Sequence, residues 1–404
     1  MKTTFLLAAA FLGSTALAVP VFAQDASAPN FQLTGSGGVL GINIPSYTNA
    51  IAGQTASGNL IGGMIGGSLS TGKIGDANGW GVILGINAFG AFGMGQSAST
   101  TQRLTGHQTI VGLDDAGTTS VSLGPNNTAT ATGAGGSDTT STTSGANVAG
   151  IVPDGTGFEY SAVTTNGAYA GIGSSSGGRF EFNGPVDATT VISRSVLYGG
   201  ADLTIGMDGS FDSATNVQVF GGPSVRALAQ NNRTSETFDV PEASGGTPIT
   251  IPTYTLALND DLMSTYLGGV IGSNVSFAGG NGIIFTLGAQ GGIYTVHSTY
   301  NGHDTYSTCC GVTGSPQNIA SPSISVDGPS HTSDLGNTVA FAAQGSGSAT
   351  IALDATKSFT FGGDVGYLSY VPTVNRTGPG VGGVSFGSGS MITYGVKGSL
   401  TGHF

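Results

Sequence analysis

The sequence predicts an all-β fold: an antiparallel up-and-down transmembrane β-barrel of about 12 strands, within a range of roughly 10 to 14. Three observations predict it, namely the composition, the period of the apolar residues and the spacing of the turns. Gly accounts for 72 of 404 residues, and charged residues for only 8%. So few charges would leave a water-exposed surface poorly solvated, whereas lipid can cover an uncharged surface.

Apolar residues alternate with small or polar residues in segment after segment, which is typical of strands with one apolar face. From Leu197 to Met207, for example, Leu203 lies on the apolar face and Asp202 on the polar one. The ten clearest segments are 31–45, 58–72, 79–96, 194–208, 211–225, 262–278, 282–298, 338–353, 357–371 and 390–404. After residue 23, no stretch reaches the roughly 18 apolar residues of a transmembrane helix. A closed barrel is the other structure that pairs every backbone group within a membrane.

Short turns join these strands in pairs, and long segments separate the pairs. The longest segment covers residues 97–190 and contains a low-complexity stretch at 114–150, which predicts a mobile loop. Residues 157–172 and 179–192 alternate well enough to supply one more hairpin. That hairpin makes 12 strands the favoured number.

The N-terminus has the pattern of a cleaved signal peptide. Lys2 precedes an apolar run, and the run ends in small residues before Gln24. Cleavage after Ala18 is an alternative. We therefore predict a signal peptide over residues 1–23 and one barrel domain over 24–404, with a long low-complexity loop region at about 97–190.

The final strand places Tyr394, Val396, Leu400 and Phe404 on one face. This strand resembles the C-terminal strand of Gram-negative outer-membrane β-barrel proteins, which include the porins. The resemblance implies that these four residues form a signal for the barrel assembly machinery. It also implies a location among the lipids of the cell outer membrane, with short periplasmic turns and long extracellular loops. Gly402 departs from the family, which often has a bulkier residue there, so this signal would be weaker.

A secreted Gly/Ser/Thr-rich solenoid or sandwich is the alternative fold, but the chain lacks the fixed repeat of a solenoid.

The charge balance and the inward residues bear on function. A net charge of −12 argues against nucleic acid as a partner. The predicted lumen residues are small and polar, and Asp202 and Asp364 are candidate lumen acids. We expect a porin-like passive channel for small solutes or cations, because acids that line a path favour cations. The alternative is a non-conducting structural or adhesive surface barrel that displays Thr/Ser/Asn-rich loops. The sequence does not indicate the solute or the oligomeric state.

No catalytic, cofactor-binding or metal-binding pattern stands out, so we expect no enzyme. The adjacent Cys309 and Cys310 can form a vicinal disulfide or stay as thiols, and both options remain open. The nearby His297 and His303 match no metal-site spacing.

Two weaker patterns in the sequence also bear on chemistry. Residues 173–177 match the Gly-x-Ser-x-Gly motif but lack the strand-to-helix context that the motif needs. The carboxylate pairs Asp114–Asp115 and Asp260–Asp261 could bind Ca²⁺ or act in hydrolysis. We expect both pairs to be solvated loop acids.

Overall fold

The computed structural model describes residues 31–49, 54–77, 79–95, 97–111, 120–124, 128–133, 136–141, 148–154, 157–174, 177–241, 253–309, 324–327, 330–377 and 383–404. Nearly all of these residues lie in strands, and Gly280–Gly282 form a single 3-10 turn. Within these ranges, no helix is long and apolar enough to cross a membrane. The predicted signal peptide lies outside the described residues.

Ten antiparallel strands of the described chain close into a ring, which confirms the predicted barrel. In chain order they are β1 Phe31–Asn43, β2 Asn59–Thr71, β3 Trp80–Met94, β4 Val186–Ser210, β5 Thr215–Asp239, β6 Thr253–Ala278, β7 Ile283–Cys309, β8 His331–Ala352, β9 Lys357–Arg376 and β10 Val384–His403. Each strand pairs with the next, and β10 pairs with β1. Closure leaves the ring without an edge strand. The strand number falls at the lower end of the predicted range, below the favoured 12.

The extra hairpin predicted within 157–192 does not enter the ring. Gly157–Thr164 pairs with Gly167–Ser174 in a separate sheet, whereas residues 186–192 belong to β4. The alternation in this hairpin is genuine, but its apolar side chains pack against a second sheet. The alternation of apolar and polar residues does not by itself distinguish such a strand from one that faces lipid.

The chain between β3 and β4 builds two sheets, which we call the sandwich. One sheet has the strand order Val148–Asp154, Gly157–Thr164, Gly167–Ser174, Gly177–Asn183 and His107–Val111, and the other has the order Gly136–Ser141, Thr128–Gly133 and Ser120–Gly124. Ala129 and Ala131 pack with Val163, Ala168 and Ile172 in a shared apolar cluster. The described part of 114–150 is therefore strand and not the predicted loop, and the alternate alanines of Thr128–Gly133 give that strand a face that packs.

Five short strands complete the described structure. They are Tyr47–Asn49, Gln54–Ala56, Ile74–Ala77, Ala98–Leu104 and Ile324–Asp327. Ala98–Leu104 pairs with the first part of β4, and Ile324–Asp327 pairs with the last part of β7.

The outer wall of the barrel carries an apolar belt. On β5, Val219 and Val225 are exposed and face outward. Further along the same face, Asn231 and Arg233 are polar, so the belt ends between Val225 and Asn231. Both Phe31 and Phe404 lie at the opposite end of the barrel, where the short turns are. The outward face therefore suits lipid over one part of the barrel only.

Four strands continue well beyond this belt. β4, β5, β6 and β7 contain 25, 25, 26 and 27 residues, although about 10 residues suffice to cross a membrane. The sequence predicts shorter strands here and long loops at 229–260 and 300–337. Polar outward residues in the extensions remove the alternation on which the prediction depends, yet the backbone ladders continue.

Candidate functional site

The two predicted lumen acids both face the lumen, and each lies beside a base. Arg226 Nη2 is 2.9 Å from Asp202 Oδ1 and donates to Asp202 Oδ2 at 3.0 Å. Lys397 Nζ lies 3.2 Å from Asp364 Oδ1, which makes the second ion pair. Because a base neutralises each acid, the pairs do not form the ring of free acids that would favour cations.

The two ion pairs lie on opposite sides of the barrel. Asp202 and Arg226 project from β4 and β5, whereas Asp364 and Lys397 project from β9 and β10. These strand pairs are half a ring apart. A cavity with a volume of about 80 Å³ lies between them, and all four side chains line it. We call this space the mid-lumen cavity.

The Arg226 side chain is held flat against the barrel wall. Its guanidinium carbon lies 4.8 Å from the centre of the Phe89 ring, a cation–π contact. Tyr198 packs edge-on against Phe89 with ring centres 5.2 Å apart. A Cβ atom on Gly200 would lie 2.5 Å from the Val225 carbonyl oxygen and 2.6 Å from Arg226 Cδ. Gly200 therefore provides the space that the arginine occupies.

Apolar side chains fill the lumen next to the mid-lumen cavity, on the side of the sandwich. Leu228, Tyr266, Val296 and Leu368 are buried members of this cluster. Tyr266 donates its hydroxyl hydrogen to the carbonyl oxygen of Tyr370 at 3.0 Å. The cluster brings together side chains from strands on several sides of the ring, as expected for a barrel of this size.

Above the belt, Arg376 joins two carboxylates inside the lumen. Its Nε donates to Asp260 Oδ1 at 2.9 Å, and its Nη2 donates to Asp304 Oδ1 at 2.8 Å. Tyr47 and Tyr300 also donate to Asp260, at 2.8 and 2.7 Å. The sequence predicts solvated loop acids at 260–261, which is wrong for Asp260 because its side chain is 0% exposed.

The sandwich covers the mouth of the barrel through an aromatic cluster. Phe180 of the sandwich lies 6.0 Å from Phe238 on β5 and 5.6 Å from Tyr254 on β6, measured between ring centres. Tyr254 lies 5.7 Å from Tyr306 on β7 in the same way. These barrel residues are fully buried and face inward. The long region at 97–190 therefore supplies a cover for the lumen.

Glu236 is buried close to this mouth, between Thr234 and Phe238 along the inward face of β5. Its Oε2 atom has no hydrogen-bond partner. Burial raises the pKa of Glu236 to about 7. The sequence predicts a loop at this position, and no sequence pattern marks Glu236 as a buried acid.

The four residues of the predicted assembly signal all lie at the outer wall. Tyr394, Val396, Leu400 and Phe404 are exposed, as they would be against lipid. Phe404 and Phe31 exchange two backbone hydrogen bonds, at 3.1 and 2.9 Å, where β10 meets β1. Recognition by the assembly machinery stays a prediction.

The remaining candidates gain no chemical site. Cys309 ends β7, but its side chain and the whole of Cys310 lie outside the described residues, so the vicinal disulfide stays a prediction. His297 contacts Asn337 at the outer wall, at 3.2 Å. The described residues contain no group of three or more His, Cys, Asp or Glu side chains that could hold a metal. The motif at 173–177 lies where one strand ends and another begins, and two of its serines are outside the described residues.

No family model and no curated protein matches this chain. Solved structures of outer-membrane barrels resemble this chain, with low sequence identity and low TM-scores. The outer-membrane protease OmpT from Escherichia coli has a TM-score of 0.35 and 8% identity, with 95% of this chain and 99% of that chain covered. The toluene transporter TodX of P. putida has a TM-score of 0.19 and 8% identity, with 94% and 91% covered. The toluene transporter TbuX of Ralstonia pickettii has a TM-score of 0.20 and 7% identity, with 94% and 90% covered.

Proposed function

We propose that this protein is an outer-membrane surface protein in which a closed, non-conducting barrel anchors the extracellular sandwich. The burial of the inward polar side chains carries this proposal. Thr401 near the short turns, Asp202 at mid-height and Asp260 above the belt are only 3%, 5% and 0% exposed. A water-filled pore would leave such side chains in contact with solvent. The packed interior is instead that of a small barrel filled by its own side chains.

The location rests on features of the sequence and of the wall together. A signal peptide at 1–23, as the sequence pattern predicts, would direct export, and the final strand resembles those of Gram-negative outer-membrane proteins. The apolar belt on the outer wall requires lipid around it. We therefore place the sandwich outside the cell, at the end of the barrel opposite Phe31 and Phe404.

The sandwich is the part of the molecule best suited to contact another surface. Two of its strands, Thr128–Gly133 and Gly136–Ser141, consist of Thr, Ser, Ala, Gly and Asp. Hydroxyl groups on strands form many weak, adaptable hydrogen bonds, which suits adhesion to a polar surface. The extended strands β4 to β7 lift this element away from the membrane.

Attachment tests the adhesive role. Replacing residues 120–141 with a short Gly/Ser linker should abolish attachment of expressing cells to glass and to one another. The barrel should still migrate differently before and after boiling, because β1 to β10 are unchanged. The matched control replaces residues 242–251, a connection between β5 and β6, and should leave attachment intact. Unchanged attachment of the first variant would refute the adhesive role.

Conductance tests the closed barrel. The purified protein in a planar bilayer should give no discrete steps over a range of voltages and salts. The second candidate function is the porin-like channel, and the observation in its favour is the mid-lumen cavity with charges on both sides. Steps that disappear in Asp202→Asn or Asp364→Asn would overturn the closed barrel in favour of the channel.

A further inference from the structure

We propose that the mid-lumen cavity binds a small zwitterion, a molecule with one ammonium and one carboxylate group, between Arg226 and Asp364. This site is separate from the anchoring role of the barrel and from the sandwich. The proposal rests on the size of the cavity, on the charges along its wall and on a buried arginine nitrogen that lacks a hydrogen-bond partner.

The size of the cavity limits the ligand. A space for one water needs roughly 10 to 15 Å³ by the same kind of measure. A volume of about 80 Å³ therefore holds about five groups of the size of a water molecule. Leu40, Phe89, Leu368 and Met391 line the cavity with apolar surface, and a volume this small leaves little room for a side chain on the ligand. Glycine has the right number of non-hydrogen atoms.

The charges along the wall select a ligand that carries both signs. Asp202 and Asp364 balance Arg226 and Lys397, so the four lining side chains have no net charge. A lone cation or anion would bring an uncompensated charge into a buried space, which is costly. A zwitterion brings none, and its two ends match the opposed pairs.

The Arg226 guanidinium leaves one buried donor without a hydrogen bond. Arg226 Nη1 has no partner, although its side chain is only 6% exposed. Across the cavity, Asp364 Oδ1 is 6% exposed and lies 3.2 Å from Lys397 Nζ. A carboxylate oxygen has a second lone pair, so Asp364 can still accept a hydrogen bond from a ligand. An unpaired buried donor or acceptor costs about 1 to 3 kcal/mol. A bound zwitterion would accept a hydrogen bond from Nη1 with its carboxylate and donate one to Oδ1 from its ammonium group, while both ion pairs stay in place.

Equilibrium dialysis of the purified, folded barrel against radiolabelled glycine tests the proposal. We expect saturable binding of one glycine per barrel. Acetate and methylamine, which each carry half of the zwitterion, should fail to compete at the same concentration. Binding should weaken at least about tenfold in Asp364→Asn and in Arg226→Lys, since each loses one charge-assisted contact. Arg233→Gln, on the outward face of the same strand as Arg226, is the matched control and should bind like the wild type.

The gel shift on boiling confirms that each variant is folded before dialysis, and Asp364→Asn decides the matter if Arg226→Lys does not fold. Absence of saturable glycine binding to the folded wild type would overturn the proposal and leave water as the occupant. Equal binding by Asp364→Asn and the wild type would also overturn it. Neither result depends on whether the barrel conducts or whether the sandwich mediates attachment.

Discussion

Arg376 and Asp260 form an ion pair that crosses the upper lumen, with Arg376 Nε 2.9 and 3.1 Å from the two carboxylate oxygens. The residues lie on β9 and β6, which are not neighbours in the ring. Tyr47 donates to the same carboxylate from the connection that follows β1. The Asp260 carboxylate thus holds together β6, β9 and the connection after β1. Polar contacts as well as apolar packing close the lumen at this level.

Arg376→Met should strongly destabilise the barrel. The substitution keeps the length of the side chain but leaves Asp260 and Asp304 buried without a cation, which typically costs about 3 to 5 kcal/mol. Urea unfolding in detergent, followed by the loss of heat-modifiability, measures the change. Arg233→Met removes an exposed arginine on the outer wall and should change stability by less than about 1 kcal/mol. Equal stability of the two variants would contradict the role of the cross-lumen pair.

Glu236 should make stability fall as pH rises. Burial raises the pKa of Glu236 to about 7 from its ordinary value of 4.5, so the folded chain holds this proton more tightly than the unfolded chain does. The contribution of this residue is therefore fully favourable below pH 4.5, declines as pH rises through about 7 and is flat above that. Glu236→Gln should remove the decline and stabilise the protein at pH 8 by up to about 3 kcal/mol.

Unfolding curves at pH 4, 6 and 8 separate Glu236 from the other acids. The Asp187 pKa is lowered, mainly by its hydrogen bond from Arg103, so the stability contributed by Asp187 is lost as pH falls. Asp187→Asn is therefore a control that should leave the decline between pH 4.5 and 7 unchanged. A wild-type decline that persists in Glu236→Gln would assign it to another group.

Gly200→Ala should destabilise the wall beside the mid-lumen cavity. The added methyl would lie 2.5 Å from the Val225 carbonyl oxygen, a backbone atom that cannot move away without disturbing the sheet. Overpacking of this kind costs about 1 to 3 kcal/mol. Gly35→Ala is the matched control, since a Cβ there meets nothing within 4 Å. Thermal unfolding of both variants in the same detergent should show a lower midpoint for Gly200→Ala only.

Phe404→Ala should reduce assembly more than it reduces stability. The side chain is 77% exposed to the surroundings, and the two backbone hydrogen bonds with Phe31 remain available to alanine. The folded fraction in outer-membrane preparations should therefore fall, while the unfolding midpoint of the purified barrel stays within error. Phe341→Ala, at another lipid-facing position, should leave the folded fraction unchanged. A loss of equal size in both variants would show that Phe404 has no special part in assembly.

The sequence was sufficient to predict the ring because its signal comes from the lipid-facing side chains. Leu203, Phe285 and Val396 alternate with small residues, and that alternation marks the part of each strand that crosses the membrane. Above the belt both faces of a strand are polar or packed, so the extensions of β4 to β7 look like loops. The same limitation concealed the sandwich, whose alanines are no more apolar than those of a low-complexity loop.

In the lumen, the sequence predicts which acids face inward but not which bases pair with them. Alternation placed Asp202 and Asp364 inside correctly, because that inference needs only the face of the strand. Their bases, Arg226 and Lys397, lie on adjacent strands, and a sequence alone does not give the register that brings each acid beside its base. Asp260 was assigned to a loop for the same reason, since Arg376 is distant in sequence and approaches it only through the closed ring.

Phe180→Ala should release the sandwich from the mouth while leaving the membrane-spanning barrel intact. Phe180 contacts Phe238 and Tyr254, and truncation of a buried phenylalanine costs about 3 to 5 kcal/mol. The loss falls on the contact between the sandwich and the barrel, because the ladders of β1 to β10 do not involve this residue. A non-specific protease applied to whole cells should therefore cut within 97–185 sooner than in the wild type, and the boiled and unboiled forms should still differ on a gel. Phe341→Ala, on the lipid-facing wall, should leave the cutting rate unchanged. If the cutting rate of Phe180→Ala equals that of the wild type, the aromatic cluster does not hold the cover in place.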